Sequence, residues 1–362
     1  MPTFRSDLES IPRYVPGKPI DEVAKEFGLT SIDKLASNEC PTEPFPEVVD
    51  AIAEAARGVN RYPDTVSGDL AADIAALHGI APETVWVGSG SSDIIRSIAT
   101  AVGGPGTSAV FANPSFIMYP IVTMITGGES IPVPLTSDFG HDLDAMLSAI
   151  RDDTTLVYVC NPNNPTGGHL SGTDVRRFIE AVPERVVVIV DEAYAEYATA
   201  PDYESLVDDA AGWSHVIVCR TFSKVYGLAG MRVGFGVGDP ELIGSLRRTQ
   251  APFSVTSLAQ VAAREALRHQ GRIAERAAVN AGGRQFLLDG LHQRGLSPGE
   301  SQANFVYFEP EDDPATMGQQ LLKRGVIVRV LGPGIRVTVG TESENRRFLE
   351  ALDSVLTVAA GT

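Results

Sequence analysis

Seven short apolar runs, several of them rich in β-branched residues, recur along the first two-thirds of this 362-residue chain, at 84–87, 109–112, 130–134, 155–160, 186–190, 216–219 and 233–237. Several are apolar almost throughout, the pattern of strands buried on both faces of a largely parallel sheet. Segments with helical periodicity fall between them, at 46–57, 68–77, 92–101, 143–150 and 173–181. Such alternation predicts a three-layer α/β domain, because each parallel strand needs a crossover that returns over one face of the sheet. From about residue 252 the texture changes. A long Ala/Arg/Leu-rich helical stretch, 257–291, is followed by a strand at 304–308, a helix near 315–323 and a hairpin-like pair, 326–330 and 335–339. That is an α+β pattern, and the length suits one large domain plus a smaller one. The expected division is an N-terminal arm, 1–35, contributing to the small domain, a large domain over 36–250 and a small C-terminal domain over 251–362. No internal repeat or low-complexity linker interrupts it.

Composition narrows the function. Acidic residues outnumber basic ones 46 to 29, a net charge of −17. Nucleic acids and anionic membranes recruit basic footprints, so neither is expected as a partner. Of the three cysteines, Cys160 and Cys219 sit in apolar runs and read as small buried hydrophobes in a reducing compartment. The N-terminal segment has no apolar signal-like core, and no apolar stretch approaches 18 residues, so a cytoplasmic protein is expected. No metal site is expected.

Only five of the 29 basic residues are lysines, and Lys224 is the only one between Lys34 and Lys323. It lies in Arg220-Thr-Phe-Ser-Lys-Val-Tyr-Gly-Leu-Ala-Gly-Met-Arg232. A guanidinium is too stabilised to attack a carbonyl, whereas a buried amine can lose its proton and form a Schiff base. Codon bias accounts for the scarcity of lysine, though not for this placement. Three more polar segments follow candidate strands, where open α/β sheets bind ligands. Gly88-Ser-Gly-Ser-Ser-Asp93 opens a helix, and reads either as a phosphate cradle or as a plain capping turn. Asn161-Pro-Asn-Asn-Pro-Thr-Gly167 is too rich in Asn and Pro for a simple turn. Asp191-Glu-Ala-Tyr194 puts a carboxylate at a strand end, where a helix N-cap is the plainer reading.

In combination these segments resemble the class II pyridoxal-phosphate aminotransferases. The similarity rests on Asn-Asn-Pro-Thr-Gly, Asp-Glu-Ala-Tyr and Thr-Phe-Ser-Lys-x-Tyr-Gly-Leu-Ala-Gly-x-Arg, in that order. It runs from Tyr14-Val-Pro-Gly17 and Lys34-Leu-Ala-Ser-Asn-Glu39 to Arg336-Val-Thr-Val-Gly-Thr341, nearest the histidinol-phosphate and aromatic amino-acid subgroup. The resemblance implies fold-type I, a three-layer αβα large domain with a smaller α+β C-terminal domain, and pyridoxal 5′-phosphate as cofactor. It implies that Lys224 carries the cofactor as a Schiff base and then moves the substrate proton, that Asp191 faces the pyridine nitrogen, and that Asn164 and Tyr194 donate to the ring's 3′ oxygen. Phe116 matches the aromatic stacked on the ring. Gly90, Ser91, Ser92, Thr221, Ser223 and Arg232 match the phosphate site. Tyr62 matches a tyrosine that reaches the phosphate of a neighbouring subunit, which implies a homodimer with shared sites.

The same resemblance assigns substrate contacts to Arg336, Arg329, Tyr14 and Asn38. Histidinol-phosphate enzymes usually carry a longer loop than the six residues between Arg329 and Arg336. That loop, with Ser301-Gln-Ala-Asn-Phe-Val-Tyr307, is more similar to the aromatic amino-acid enzymes, whereas Pro114-Ser-Phe-Ile-Met-Tyr119 follows the histidinol-phosphate pattern. Cys40, after Ser-Asn-Glu, departs from both. The favoured expectation is ping-pong transamination between a phenylalanine/tyrosine-type donor and 2-oxoglutarate. Histidinol phosphate is the alternative donor, and a decarboxylase or lyase on the same fold is more remote. A non-enzymatic regulator would need a basic DNA-binding module that this chain lacks.

Overall fold

The computed structural model describes residues 3–13 and 17–360. The chain begins with helix α1 (Ile20–Phe27) and the two-residue strand β1 (Asp33–Lys34), followed by α2 (Pro46–Ala55) and α3 (Gly68–His78). Strand β2 (Val85–Gly88) leads into α4 (Ser91–Val102), β3 (Ser108–Asn113) into α5 (Met118–Thr126), and β4 (Glu129–Pro134) into α6 (Leu143–Ser148). Then come β5 (Thr154–Cys160), α7 (Gly172–Ala181), β6 (Val187–Asp191), β7 (Val216–Thr221), β8 (Gly234–Gly238) and α8 (Pro240–Leu246). Helices α9 (Ser257–Leu267) and α10 (Gln270–His292) precede β9 (Phe305–Phe308) and α11 (Pro314–Lys323). The chain closes with β10 (Val326–Ile327), β11 (Arg329–Leu331), β12 (Gly334–Thr338) and α12 (Glu342–Ala360).

The seven predicted runs form one sheet, in the order β2-β8-β7-β6-β5-β3-β4. Strand alternation divides its side chains between two cores. Leu156, Tyr158 and Cys160 of β5 pack with Ile94 and Ile98 of α4, Tyr119 and Val122 of α5 and Ile243 of α8. Val157 and Val159 face the other way, with Ile74 of α3, Val175 and Phe178 of α7 and Ala259 of α9. Covering both faces explains why the strands read as continuous apolar runs. β8 is antiparallel to both its neighbours. Its alternate glycines admit close packing: a Cβ on Gly238 would stand 2.5 Å from Ile217 Cδ1.

A third core joins α10, α11 and α12 to the antiparallel sheet β11-β12-β9, through Leu287, Phe308, Leu321, Val337 and Phe348. Three local expectations are corrected here. The run 326–330 is two strands: β10 pairs in parallel with β1, while β11 forms the hairpin with β12. The stretch 257–291 is two helices that break at Arg268–His269, where the His269 ring meets Phe45 edge-on at 5.5 Å. A helix that the periodicity did not predict, α5, follows β3; it is apolar almost throughout and lacks the polar stripe that marks a surface helix.

Candidate active site

A cavity of about 710 Å³ opens where the C-terminal ends of the parallel strands meet β11 and β12. It is lined by Asn38, Ser91, Ser92, Phe116, Asn164, Asp191, Tyr194, Thr221, Ser223, Lys224, Arg232, Arg329 and Arg336. Gly90 is not among the lining residues but directly precedes Ser91, and Tyr14 lies outside the described residues. Tyr62 does not line this cavity. It is 82% exposed and stacks on Phe253 at 4.6 Å.

One end of the cavity is built for an anion. Gly90 adopts φ +80°, and a Cβ there would lie 2.6 Å from the Arg232 guanidinium. A Cβ on Gly234 would lie 2.6 Å from the Ser91 backbone nitrogen. Only glycine lets these groups approach, and it brings the positive end of the 12-residue α4 beside a guanidinium. Arg232 donates to Ser223 Oγ at 3.2 Å, and the Ser223 N–H donates to Thr221 Oγ1 at 3.1 Å. Backbone N–H groups, hydroxyls and a fork of guanidinium donors thus converge, as a phosphate requires.

Lys224 opens onto the middle of the cavity. Its Nζ lies 3.5 Å from Ser37 O and 5.6 Å from the Tyr194 ring centre. Burial, with the Arg336 and Arg232 charges, pulls the amine down to about 8, against the opposing pull of Glu39 and Asp191. A substantial fraction is therefore unprotonated near neutrality, the form that attacks a carbonyl or accepts a proton. Asp191, the last residue of β6, is 2% exposed. Burial pushes its carboxyl up to about 6, opposed by the Tyr119 hydroxyl, the Ala193 N–H and Lys224.

Between these points two donors are aimed by their partners. Arg336 donates to Asn164 Oδ1 at 2.5 Å and to Ala36 O at 2.7 Å, which leaves the Asn164 NH₂ as the group able to donate into the cavity. Asn38 Nδ2 donates to the Tyr194 hydroxyl at 2.9 Å, so that the phenolic proton is free to point elsewhere. Asn38 is itself pinned at φ +54° by Thr338, whose hydroxyl accepts from its N–H at 2.9 Å and donates to its Oδ1 at 3.1 Å. The structure thus gives Asn38 a holding contact on Tyr194 in addition to a place on the wall. Phe116 is partly buried beside these groups, edge-on to Tyr119 at 5.6 Å.

Arg329 and Arg336 are direct cross-strand partners in the β11–β12 hairpin, and both line the cavity. Like charges placed opposite one another disfavour the pairing unless an anion lies between them. Sequence reasoning missed two residues here. Arg13, from the N-terminal arm, also lines the wall; no local motif marks it. Tyr119, whose hydroxyl meets Asp191, stood inside a quoted motif, but its partner is 72 residues away.

The donor set fits pyridoxal phosphate: an anion cradle at one end, an amine with lowered affinity for its proton at the centre, and a buried carboxylate beyond it. Comparison with known proteins agrees. The family description "Aminotransferase class I and II" matches residues 31–352, and the chain belongs to that family of pyridoxal-phosphate-dependent aminotransferases. It is 42% identical over 362 residues to the histidinol-phosphate aminotransferase of Moorella thermoacetica, covering 98% of this chain and 94% of that protein. It is 44% identical to histidinol-phosphate aminotransferase 1 of Dechloromonas aromatica, covering 97% and 98%. Among solved structures, the histidinol-phosphate aminotransferase of Sinorhizobium meliloti in complex with pyridoxal-5′-phosphate superposes with a TM-score of 0.88 at 27% identity, covering 97% of this chain and 98% of that one. The fold is the fold-type I architecture of these neighbours.

These relatives overturn the aromatic amino-acid expectation, which rested on the short loop between Arg329 and Arg336 together with Ser301-Gln-Ala-Asn-Phe-Val-Tyr307. The two-residue turn at Gly332 and Pro333 joins β11 directly to β12, and that short connection itself sets the two arginines opposite each other. Among the described residues no helix is long and apolar enough to cross a membrane.

Proposed function

We propose that this chain is a histidinol-phosphate aminotransferase, moving the amino group of histidinol phosphate to 2-oxoglutarate in two half-reactions. The observation that carries the reading is the Arg329–Arg336 pair, two guanidiniums set opposite each other on the cavity wall, a match for a phosphate dianion. The names carried by its relatives support the same donor.

Gly90, Ser91, Ser92, Thr221, Ser223 and Arg232 would hold the cofactor phosphate, Phe116 would cover one ring face, and Asp191 would face the ring nitrogen. When bound, pyridoxal phosphate supplies the electron sink that makes the substrate Cα–H acidic. Lys224 would be the amine that holds the cofactor, and its neutral form could take the proton from Cα. Asn164 and Tyr194 would offer donors to the ring's 3′ oxygen. Arg336 acts twice, gripping the substrate anion and fixing the Asn164 amide. The α-carboxylate of 2-oxoglutarate takes the place of the substrate phosphate in the second half-reaction.

The exposed Tyr62–Phe253 pair suits a second copy of the chain, with Tyr62 reaching the neighbour's cofactor phosphate in a homodimer. The large and small domains would meet at this cavity, with the division falling after α9, whose Ala259, Ala262 and Ala266 pack in the large-sheet core, rather than at residue 250, and the cytoplasm is the expected compartment. The test is a donor panel of histidinol phosphate, phenylalanine, tyrosine and aspartate in single-turnover half-reactions. Histidinol phosphate should convert the bound cofactor fastest, and a faster rate with any other donor would overturn the reading.

A further inference from the structure

The far side of Asp191 holds a group that the reaction scheme has not yet used. Tyr119, in the first turn of α5, is fully buried, and its hydroxyl donates to Asp191 Oδ2 at 2.9 Å. The other carboxylate oxygen, Oδ1, accepts the Ala193 N–H at 3.3 Å. Each oxygen therefore has one fixed donor on the protein side, which leaves the carboxylate little freedom to rotate. The Tyr119 ring is wedged just as firmly. It stacks on Tyr158 with centres 4.5 Å apart and planes 16° apart, Phe116 meets it edge-on at 89°, and Phe111 lies tilted against it at 6.5 Å. One side chain thus touches both the aromatic that would cover the ring face and the carboxylate that would face the ring nitrogen.

We propose that Tyr119 is a positioning residue for the cofactor: its hydroxyl keeps Asp191 ionised and turned toward the ring nitrogen, while its ring sets the tilt of Phe116. This rests on the reading of Asp191 given above. A phenol has a single proton, and burial together with Asp191 and Cys160 keeps that proton on Tyr119 far beyond its ordinary range, so it is a permanent donor. A permanent donor favours the charged form of its acceptor. The other groups facing Asp191 are Cys160 of β5, Cys219 of β7, Glu192 beside it, and Tyr194 and Lys224 beyond the strand ends. Among these Lys224 alone favours the carboxylate with a charge, and that charge is the one spent when the amine becomes neutral. Tyr119 is what sustains the carboxylate throughout.

The test uses the holoenzyme. Tyr119→Phe keeps the ring and deletes the donor. Cofactor dissociation constants across pH 5–9 should weaken by ~10-fold, the worth of one hydrogen bond to a charged group. The loss should grow toward acid pH, and the acid limb of kcat should move to higher pH. Tyr158→Phe removes a neighbouring hydroxyl that meets Thr123 at 3.3 Å, and should leave the acid limb in place. In an Asp191→Asn background Tyr119→Phe should add nothing. Should the phenylalanine variant not fold, 3-fluorotyrosine at position 119, a stronger donor with the same packing, should move the limb toward lower pH. Unchanged cofactor affinity and an unmoved limb in Tyr119→Phe, with Asp191→Asn impaired, would overturn the positioning role alone; a limb unmoved by fluorination would do the same. The same increment in the Asp191→Asn background would show that the hydroxyl does not act through Asp191. If Asp191→Asn itself retains full affinity and turnover, the reading of Asp191 falls, and this proposal with it.

Discussion

Adjacent residues at the ends of β6 and β7 carry their charges to opposite faces of one sheet, and the two sets are handled differently. Behind the sheet, Arg220 bonds Glu192 at 3.0 Å, Glu196 at 3.0 Å and Ser205 Oγ at 2.6 Å. Glu192 also accepts the Ser205 hydroxyl at 2.6 Å and the Leu206 N–H at 2.7 Å. Burial pulls the Arg220 guanidinium down, but Glu196 and Glu192 more than offset it, and the group ends above its ordinary range. On the cavity side, burial displaces both Asp191 and Lys224 toward their neutral forms, whereas behind the sheet it does so to Glu196 but not to the Arg220 that bonds it. Buried charge by itself therefore marks no site. What distinguishes the cavity is charge with unspent capacity, groups whose protonation can change when something binds.

That contrast can be broken at four points, in order of expected effect. Lys224→Ala should lower the transamination rate by ~10⁴-fold or more, because among the described residues no other amine lines the cavity, while leaving the protein folded. Single-turnover kinetics beside a thermal melt checks both halves. Arg220→Met should do the reverse. It leaves two glutamates buried without their partner, and should cost ~3–5 kcal/mol of stability, read by denaturant unfolding. A loss below ~1 kcal/mol would mean that the cluster is not holding the strand ends.

Asp191→Asn should reduce turnover by ~10²-fold, the scale of removing a positioned charge. It should also make the cofactor-free protein more stable above about pH 6. The native carboxyl is held near 6, above its unfolded value, so the folded state binds the extra proton between about 4 and 6. The parent therefore loses stability as pH rises through that window, on the order of 3 kcal/mol, and the asparagine variant should not. Parallel stability–pH curves that never diverge would remove this claim. Arg329→Ala should be the mildest, with kcat/KM for histidinol phosphate falling ~10-fold because Arg336 retains its grip. Equal losses with a donor that carries no phosphate would show that Arg329 does not read that group.

Much of this was legible in the chain itself. The seven strands fall on their apolar runs, within a residue or two at the ends; in the six other than the edge strand β4, burial on both faces is written into nearly every position. Lys224 and Asp191 were marked by residue type at strand ends, and both line one cavity. Less legible was anything that depends on which element meets which. The run 326–330 looked like a single strand because both halves are apolar, yet its halves pair with β1 and β12. The break at Arg268–His269 carries no proline, and it coincides with the contact of His269 on Phe45.

Periodicity in the sequence by itself determined the layer architecture, while the cofactor class and the proposed role of Lys224 followed from the resemblance that its motifs bear to a known family. Only the tertiary structure decided three things: that Tyr119 restrains Asp191, that Asn38 and Arg336 aim Tyr194 and Asn164, and that Arg329 stands opposite Arg336. The first two are contacts between side chains set by sheet register and packing across 72 to 172 residues, and the third is a hairpin register set by a two-residue turn. A one-residue slip in register would turn every such side chain to the opposite face, and no local pattern in the chain specifies that choice.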